Sequence, residues 1–79
     1  MEITLRQLND AVHFEADNGE GVTVQIDGAV GSPYGGEGKG MRPMQLLLAA
    51  VGGCSAFDVV AILKKQREDL QHLVVKVKC

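Results

Sequence analysis

The chain has 79 residues, with eight Lys and Arg against ten Asp and Glu and a formal net charge of −2. This length limits it to one domain, and with only Phe14, Phe57 and Tyr34 aromatic, small aliphatic side chains must build the core. The charge provides no basic patch of the kind that nucleic acids require. Two cysteines and no secretory signal predict a soluble, cytoplasmic protein.

The first third of the chain predicts an antiparallel meander of three strands. Apolar and polar residues alternate with the period of two that half-buried strands show, over about residues 2–8, 11–16 and 22–27. The run Asp17-Asn18-Gly19-Glu20-Gly21 predicts the hairpin turn, because Asn and Gly accept a positive φ.

The glycine-rich segment 31–42 has no periodicity and predicts a mobile connection. Its Gly38-Lys39 pair is followed by Gly40 rather than Ser or Thr, so the phosphate-loop pattern fails. Metal ligands usually stand at short spacings, which the thiols and imidazoles of this chain lack: His13, Cys54, His72 and Cys79. The sequence therefore predicts neither a cofactor nor a metal.

A long helix is predicted over about residues 43–68. Pro43 suits the first helical position, where its missing N–H costs nothing. Only three polar side chains lie between Leu46 and Leu63, which reaches the lower end of the length that spans a membrane. Asp58 near the middle and the absence of flanking aromatic residues favour a helix buried by protein on all sides.

A further strand is predicted over about residues 73–79, where valines alternate in part with lysines. The chain stops there before any partner strand, and an all-apolar helix needs more cover than three strands supply. We therefore expect either a fragment of a longer protein or cover from another copy. An intertwined oligomer is expected in both cases.

Cys54, in the middle of the apolar helix, is the candidate reactive group. A thiol reacts as the thiolate, and Asp58, one turn further on, disfavours that anion. Activation would require a cation such as Arg6 or Arg42. The alternative is that Cys54 is a small buried hydrophobe. The adjacent Gly52-Gly53 pair has two interpretations as well: close packing of another backbone, or exposure of the thiol to a substrate.

The stretch from Arg42 to Arg67 resembles the central helix of the OsmC/Ohr family, the osmotically induced and organic-hydroperoxide-resistance proteins. In that family a Pro-x-x-Leu start precedes a cysteine eleven positions after the proline, and Pro43, Leu46 and Cys54 fall in this register. The segment Gly-Gly-Cys-Ser-Ala-Phe-Asp-Val-Val-Ala-Ile-Leu is closest to the OsmC-like branch of the family.

The resemblance implies an α+β fold in which the meander, a long buried central helix and a further strand belong to an intertwined OsmC-like homodimer. Family members are roughly twice as long, so residues 1–79 would form a single OsmC-like domain that corresponds to the N-terminal half of the family fold. No membrane and no nucleic acid partner is expected.

The resemblance also implies a function: reduction of small organic hydroperoxides in bacterial oxidative stress defence, with Cys54 as the peroxidatic thiol and a dithiol as reductant. Peroxidase members hold the thiolate with an Arg and a Glu and resolve it with a second-half cysteine. Arg6 is the candidate Arg, Gln45 stands where this branch often has Glu, and Cys79 does not match the resolving cysteine. The alternative is a non-catalytic dimer that binds an apolar ligand or is purely structural.

Overall fold

A computed structural model of the protein describes residues 1–67 and 73–78. It contains three strands and one helix: β1 (Thr4–Gln7), β2 (Phe14–Asp17), β3 (Thr23–Ile26) and α1 (Pro43–Lys65). The strands form one antiparallel sheet in the order β1-β2-β3. This arrangement confirms the predicted meander followed by a helix, and it is consistent with the α+β class. The chain divides into two compact units, Met1–Leu46 and Leu47–Cys79.

The strand register separates an apolar face of the sheet from a polar one. Phe14 pairs with Ile26, and Ala16 pairs with Val24, on one face. On the other face Glu15 pairs with Gln25, whose Nε2 donates to Glu15 Oε2 at 3.0 Å. The alternation predicted from the sequence is therefore present in the sheet: the apolar residues lie on one face, and Glu15 and Gln25 lie on the other.

β2 begins at Phe14, three residues later than predicted, because the Asn9 side chain forms hydrogen bonds with the backbone just before it. Asn9 Oδ1 accepts hydrogen bonds from the N–H groups of Ala11 at 2.9 Å and His13 at 3.1 Å. Leu8 N–H donates to the His13 carbonyl at 2.8 Å, which closes the turn. An Asn side chain that bonds nearby backbone groups competes in this way with a strand ladder.

The predicted mobile connection is instead a hydrogen-bonded loop. Gly38 N–H donates to the Gly28 carbonyl at 3.2 Å, and Met41 N–H donates to the Gln25 carbonyl at 3.2 Å. Met41 also forms an isolated parallel bridge with Ile26. The loop thus folds back on the end of β3 before α1 begins.

The prediction of a buried central helix is wrong for the single chain. Gly52 is the only buried residue of α1, and the described residues contain no buried hydrophobic side chain. A helix that is apolar around its whole circumference needs neighbours on every side. In the unit that contains Gly52, the chain after the helix approaches this residue through Val77 and Val75.

The end of the helix and the chain after it also differ from the prediction. α1 ends at Lys65, three residues early, because Arg67 adopts a left-handed backbone with φ 58° that stops the helix. Residues 73–78 form neither helix nor strand, contrary to the strand predicted at about 73–79, since a strand needs a partner to complete its ladder. Residue 68, where the helix was predicted to end, and Cys79 lie outside the described residues.

By length and composition, α1 could cross a membrane. That finding is weak evidence for a membrane span, because the core helix of a soluble protein passes the same test.

Candidate functional site

The side chain of Gln45, one of the candidate site residues, caps the start of α1. Gln45 Oε1 accepts a hydrogen bond from the backbone N–H of Arg42 at 3.1 Å. Arg42 in turn accepts the first helical hydrogen bond from Leu46 N–H at 3.1 Å. With Pro43 as the first helical residue, Gln45 occupies the third position and forms the reciprocal half of a capping box. Gln45 is therefore a helix cap in this structure.

Cys54 is exposed on α1, which rejects for the single chain the interpretation that the thiol is a small buried hydrophobe. It lines an open groove of about 480 Å³ together with Ala50, Gly53, Phe57 and Asp58. Ala50, Gly53 and Phe57 have no polar side-chain group, and Asp58 supplies the only formal charge of the groove. The groove gives a small, largely apolar molecule direct access to the sulfur.

The glycine pair beside the thiol has two separate roles. A Cβ on Gly52 would lie 3.0 Å from Val77 Cγ2, so this glycine allows the chain after the helix to approach. A Cβ on Gly53 would meet nothing within 4 Å. Gly52 therefore allows a side chain to pack closely, and Gly53 faces open space beside Cys54, so its role in substrate access stays a prediction.

An apolar band extends from the thiol toward the end of α1. A second open groove of about 460 Å³ shares Gly53 and Phe57 with the first and continues past Val60 to Lys64. Phe57, which is 76% exposed, lies between the two grooves. Such a large exposed apolar surface is typical of a region that another molecule covers.

The charged groups predicted around the thiol are distributed between the two units. Asp58 shares the groove of Cys54, as the spacing of four residues predicted. Arg6 belongs to the unit Met1–Leu46, and its Nη1 lies 3.3 Å from Asp17 Oδ2. Among residues 1–67 and 73–78, the ion pairs are Arg6–Asp17 and Lys39–Glu37, so neither includes Cys54 or Asp58.

The sequence analysis missed Asp27, the one buried polar or charged side chain among the described residues. Its Oδ1 accepts the N–H of Gly28 at 2.7 Å, and its Oδ2 accepts the N–H of Lys39 at 3.1 Å. The signal available in the sequence was an acidic residue directly before a glycine-rich loop, a residue type that bonds backbone N–H groups in turns. No group of three or more His, Cys, Asp or Glu in the described part of the chain could hold a metal ion.

A family profile and several curated proteins are similar in sequence to this chain. The profile of the family described as OsmC-like protein matches residues 36–79, more than half of the chain. Protein YhfA of Escherichia coli K12 is 37% identical over 68 residues, which are 86% of this chain and 46% of YhfA. Protein YhfA of Shigella flexneri matches with the same identity and coverage. The chain thus spans about half the length of these curated relatives, and no solved structure matches it significantly.

Proposed function

The chain belongs to the OsmC-like protein family, and from that premise we propose that it reduces organic hydroperoxides through Cys54. The observation that carries this proposal is the exposure of Cys54 in an apolar groove whose approach is kept open by Gly53. A hydroperoxide with an apolar substituent fits these surroundings, because the substituent can lie on Ala50 and Phe57 while the O–O bond faces the sulfur.

The proposed reaction needs only the thiol, the hydroperoxide and an external dithiol. The Cys54 thiolate attacks the outer oxygen of ROOH, the O–O bond breaks, and the alkoxide leaves with a proton as ROH. Cys54 is thereby oxidised to a sulfenic acid. A thiol of the dithiol condenses with the sulfenic acid, releasing water and forming a mixed disulfide. Its second thiol then breaks that disulfide and returns Cys54 as a thiol.

The thiolate in this reaction needs a cation, and Arg6 is our candidate. In the single chain its guanidinium is paired with Asp17, and the Arg6 side chain is 57% exposed. An exposed ion pair of this kind contributes about 0.2–1 kcal/mol, so Arg6 can exchange Asp17 for a thiolate at little cost. Gln45, by contrast, has no carboxylate and is occupied as a helix cap.

A second copy of the chain is the proposed cover for α1, and the assembly is proposed to act in the cytoplasm. Apolar side chains that are about half exposed or more run along the helix: Leu47, Val51, Phe57 and Ile62. Burial of such surface contributes roughly 25 cal/mol per Å², whereas exposure of it invites non-specific association. Family proteins are generally soluble, which favours protein over lipid as the cover.

The test is the consumption of cumene hydroperoxide by the purified chain with dithiothreitol as reductant. Cys54→Ser should lower the rate by roughly 100-fold or more, because the hydroxyl is a far weaker nucleophile than a thiolate. Ser55→Ala is the matched control, since it removes the neighbouring hydroxyl and should leave the rate within about twofold. Dimedone should label the sulfenic acid at Cys54 in mass spectra. Equal rates for wild type and Cys54→Ser would dismiss the peroxidase.

A non-catalytic OsmC-like dimer is the second candidate, and the position of Asp58 favours it. This carboxylate lines the same groove as Cys54 and disfavours a neighbouring anion. Alkylation of Cys54 by iodoacetamide between pH 5 and pH 9 distinguishes the candidates. A peroxidatic thiol should still react at pH 6, whereas a thiol in a ligand-binding or structural dimer should react there no faster than cysteine in an unfolded peptide.

A further inference from the structure

Asp27 differs from the other carboxylates of the described chain in being buried. It follows β3 directly and is 1% exposed, whereas the other acidic residues of the described chain are not buried. Both of its oxygens are used, Oδ1 by the N–H of Gly28 and Oδ2 by the N–H of Lys39, twelve residues away. One side chain therefore joins Gly28, just before the glycine-rich segment 31–42, to Lys39 near the end of that segment.

The backbone around Asp27 is closed too tightly to admit side chains. A Cβ on Gly36 would lie 2.5 Å from the Gly28 carbonyl carbon, and a Cβ on Gly40 would lie 2.5 Å from the Gln25 carbonyl. The Asp27 N–H itself donates to the Met41 carbonyl at 3.0 Å. These contacts are between backbone groups, so the carboxylate is the side chain that ties the two ends of the loop together.

The closed loop leads directly into α1. Met41 pairs with Ile26 at the end of β3, and the next residue, Arg42, is the one that Gln45 caps. The first turn of α1, up to Leu46, belongs to the same compact unit as the sheet. We propose that Asp27 is a latch that holds the loop before α1 closed on the end of β3, and that protonation of its carboxylate opens this loop.

The charges around Asp27 give the sign of the pH dependence. Desolvation by burial raises the pKa of Asp27, but hydrogen bonds from the N–H groups of Lys39, Gly28 and Glu37 lower it, as does the charge of His13, and the net pKa is lowered. An aspartate in an unfolded chain titrates at about pH 3.9. The latch therefore contributes its full stability above that pH and loses it as the pH falls through the lower value of the folded state.

Two other charged groups of the loop face the same region. Lys39 Nζ lies 3.1 Å from Glu37 Oε2, and Asn9 Nδ2 donates to Glu37 Oε1 at 3.0 Å. These hydrogen bonds from Lys39 and Asn9 lower the pKa of Glu37. Glu37 makes only side-chain contacts through its carboxylate, so its protonation should leave the backbone closure intact. It is the internal control for Asp27.

The test follows the amide resonances of the full 79-residue chain by NMR from pH 7 to pH 2. In the wild type the amides of Gly28 and Lys39 should titrate together, with one midpoint below about pH 3.9. Amides of the β1–β2 ladder should keep their shifts through that transition. Gly28 and Lys39 amides that do not titrate together would overturn the proposal. So would a transition in which the whole sheet unfolds at the same pH.

Hydrogen exchange at pH 7 gives the second arm of the test. Asp27→Asn should lower the protection of the Lys39 amide at least tenfold, because the neutral amide cannot accept at both ends of the loop. Glu37→Gln removes one negative charge from the same loop and should change that protection less than twofold. Full protection in Asp27→Asn would contradict a latch. If Asp27→Asn does not fold, the wild-type titration decides the question without it.

Discussion

The units Met1–Leu46 and Leu47–Cys79 differ in how many hydrogen bonds their side chains form with the backbone. In the first unit, six side chains accept hydrogen bonds from the backbone of turns and loops: Asn9, Asp17, Asn18, Asp27, Ser32 and Gln45. In residues 47–67 and 73–78 of the second unit, no side-chain hydrogen bond is formed. Large apolar side chains are exposed in both units, among them Val30 and Tyr34 in the first and Phe57 and Val74 in the second. The loops of the first unit are thus fixed by its own side chains, whereas the described residues of the second unit form no such bonds.

The candidate site lies in the second unit, Leu47–Cys79. Cys54, Gly53 and Phe57 are exposed on a helix that one chain leaves uncovered. If a second copy covers this helix, as proposed, the site is completed only on assembly, and the activity should depend on protein concentration. The first unit contributes the position of the helix start through Gln45 and the loop before it.

The largest effect should come from a charge on the uncovered helix. Val51, which is 52% exposed, lies outside the groove of Cys54. Val51→Asp would bury a carboxylate if a second copy covers α1, and that burial should weaken the dimer by on the order of 100-fold or more. Light scattering after size exclusion should show the mass of a monomer.

Val51→Leu is the control for this experiment, because it keeps an apolar side chain at the same position and should leave the mass of a dimer. The idea of a second copy fails if wild type and Val51→Asp have the same mass at micromolar concentration.

A smaller effect is expected in the loop of the first unit. Gly40→Ala places a methyl group 2.5 Å from the Gln25 carbonyl, where backbone rather than a flexible side chain must move. Overpacking of this kind destabilises a protein by about 1–3 kcal/mol. Chemical denaturation followed by circular dichroism measures the change. An unchanged midpoint would show that the loop does not close on β3 as described.

The sequence predicted the elements that depend on local pattern. The alternation around Phe14 and Val24 gave the meander, and Pro43 marked the first residue of α1. Closure of the loop on Asp27 could not be predicted, because it depends on a hydrogen bond from the Lys39 N–H to a carboxylate twelve residues earlier in the chain. Whether Cys54 is buried or exposed was left open by the sequence for a related reason. An apolar helix indicates that something buries it but does not identify the molecule that does so.

The candidate site was predicted in part. The spacing of Cys54 and Asp58 placed both in one groove, and the pattern of Gly52 and Gly53 indicated a special backbone. Gln45 was singled out as the position where the OsmC-like branch often has Glu, and the hydrogen bond that it accepts from the Arg42 N–H adds the role of a cap. The third position of a helix could have indicated this role, since Gln and Glu share the ability to accept that bond.

The glycine pair provides a smaller and more local comparison. Gly53→Ala should stabilise α1 by about 0.5–1 kcal/mol, because alanine is the better helix former and its methyl group meets nothing within 4 Å. Gly52→Ala gains the same propensity but brings a methyl group 3.0 Å from Val77 Cγ2, so most of the gain should be lost. Thermal unfolding of the two variants measures the difference. Equal gains would mean that Val77 does not pack on Gly52.

An effect of similar size is expected at the helix start, where Gln45 allows stability and chemistry to be separated. Gln45→Ala removes the acceptor of the Arg42 N–H and should lower stability by about 0.5–1.5 kcal/mol. Gln45→Glu keeps that acceptor and adds a negative charge at the positive end of the helix dipole, worth about 0.3–1 kcal/mol. Urea unfolding should therefore rank the proteins Glu, Gln, Ala in decreasing stability.

The same two variants bear on the proposed peroxidase. If the carboxylate at this position serves the thiol in family members that react with hydroperoxides, Gln45→Glu should raise the rate with cumene hydroperoxide, whereas Gln45→Ala should not. A rate that follows the order of stabilities in all three proteins would assign position 45 to capping alone. A rate that rises only with the carboxylate, at equal helix content, would instead assign it to the chemistry of Cys54, because a neutral cap holds the helix start but cannot hold a cation.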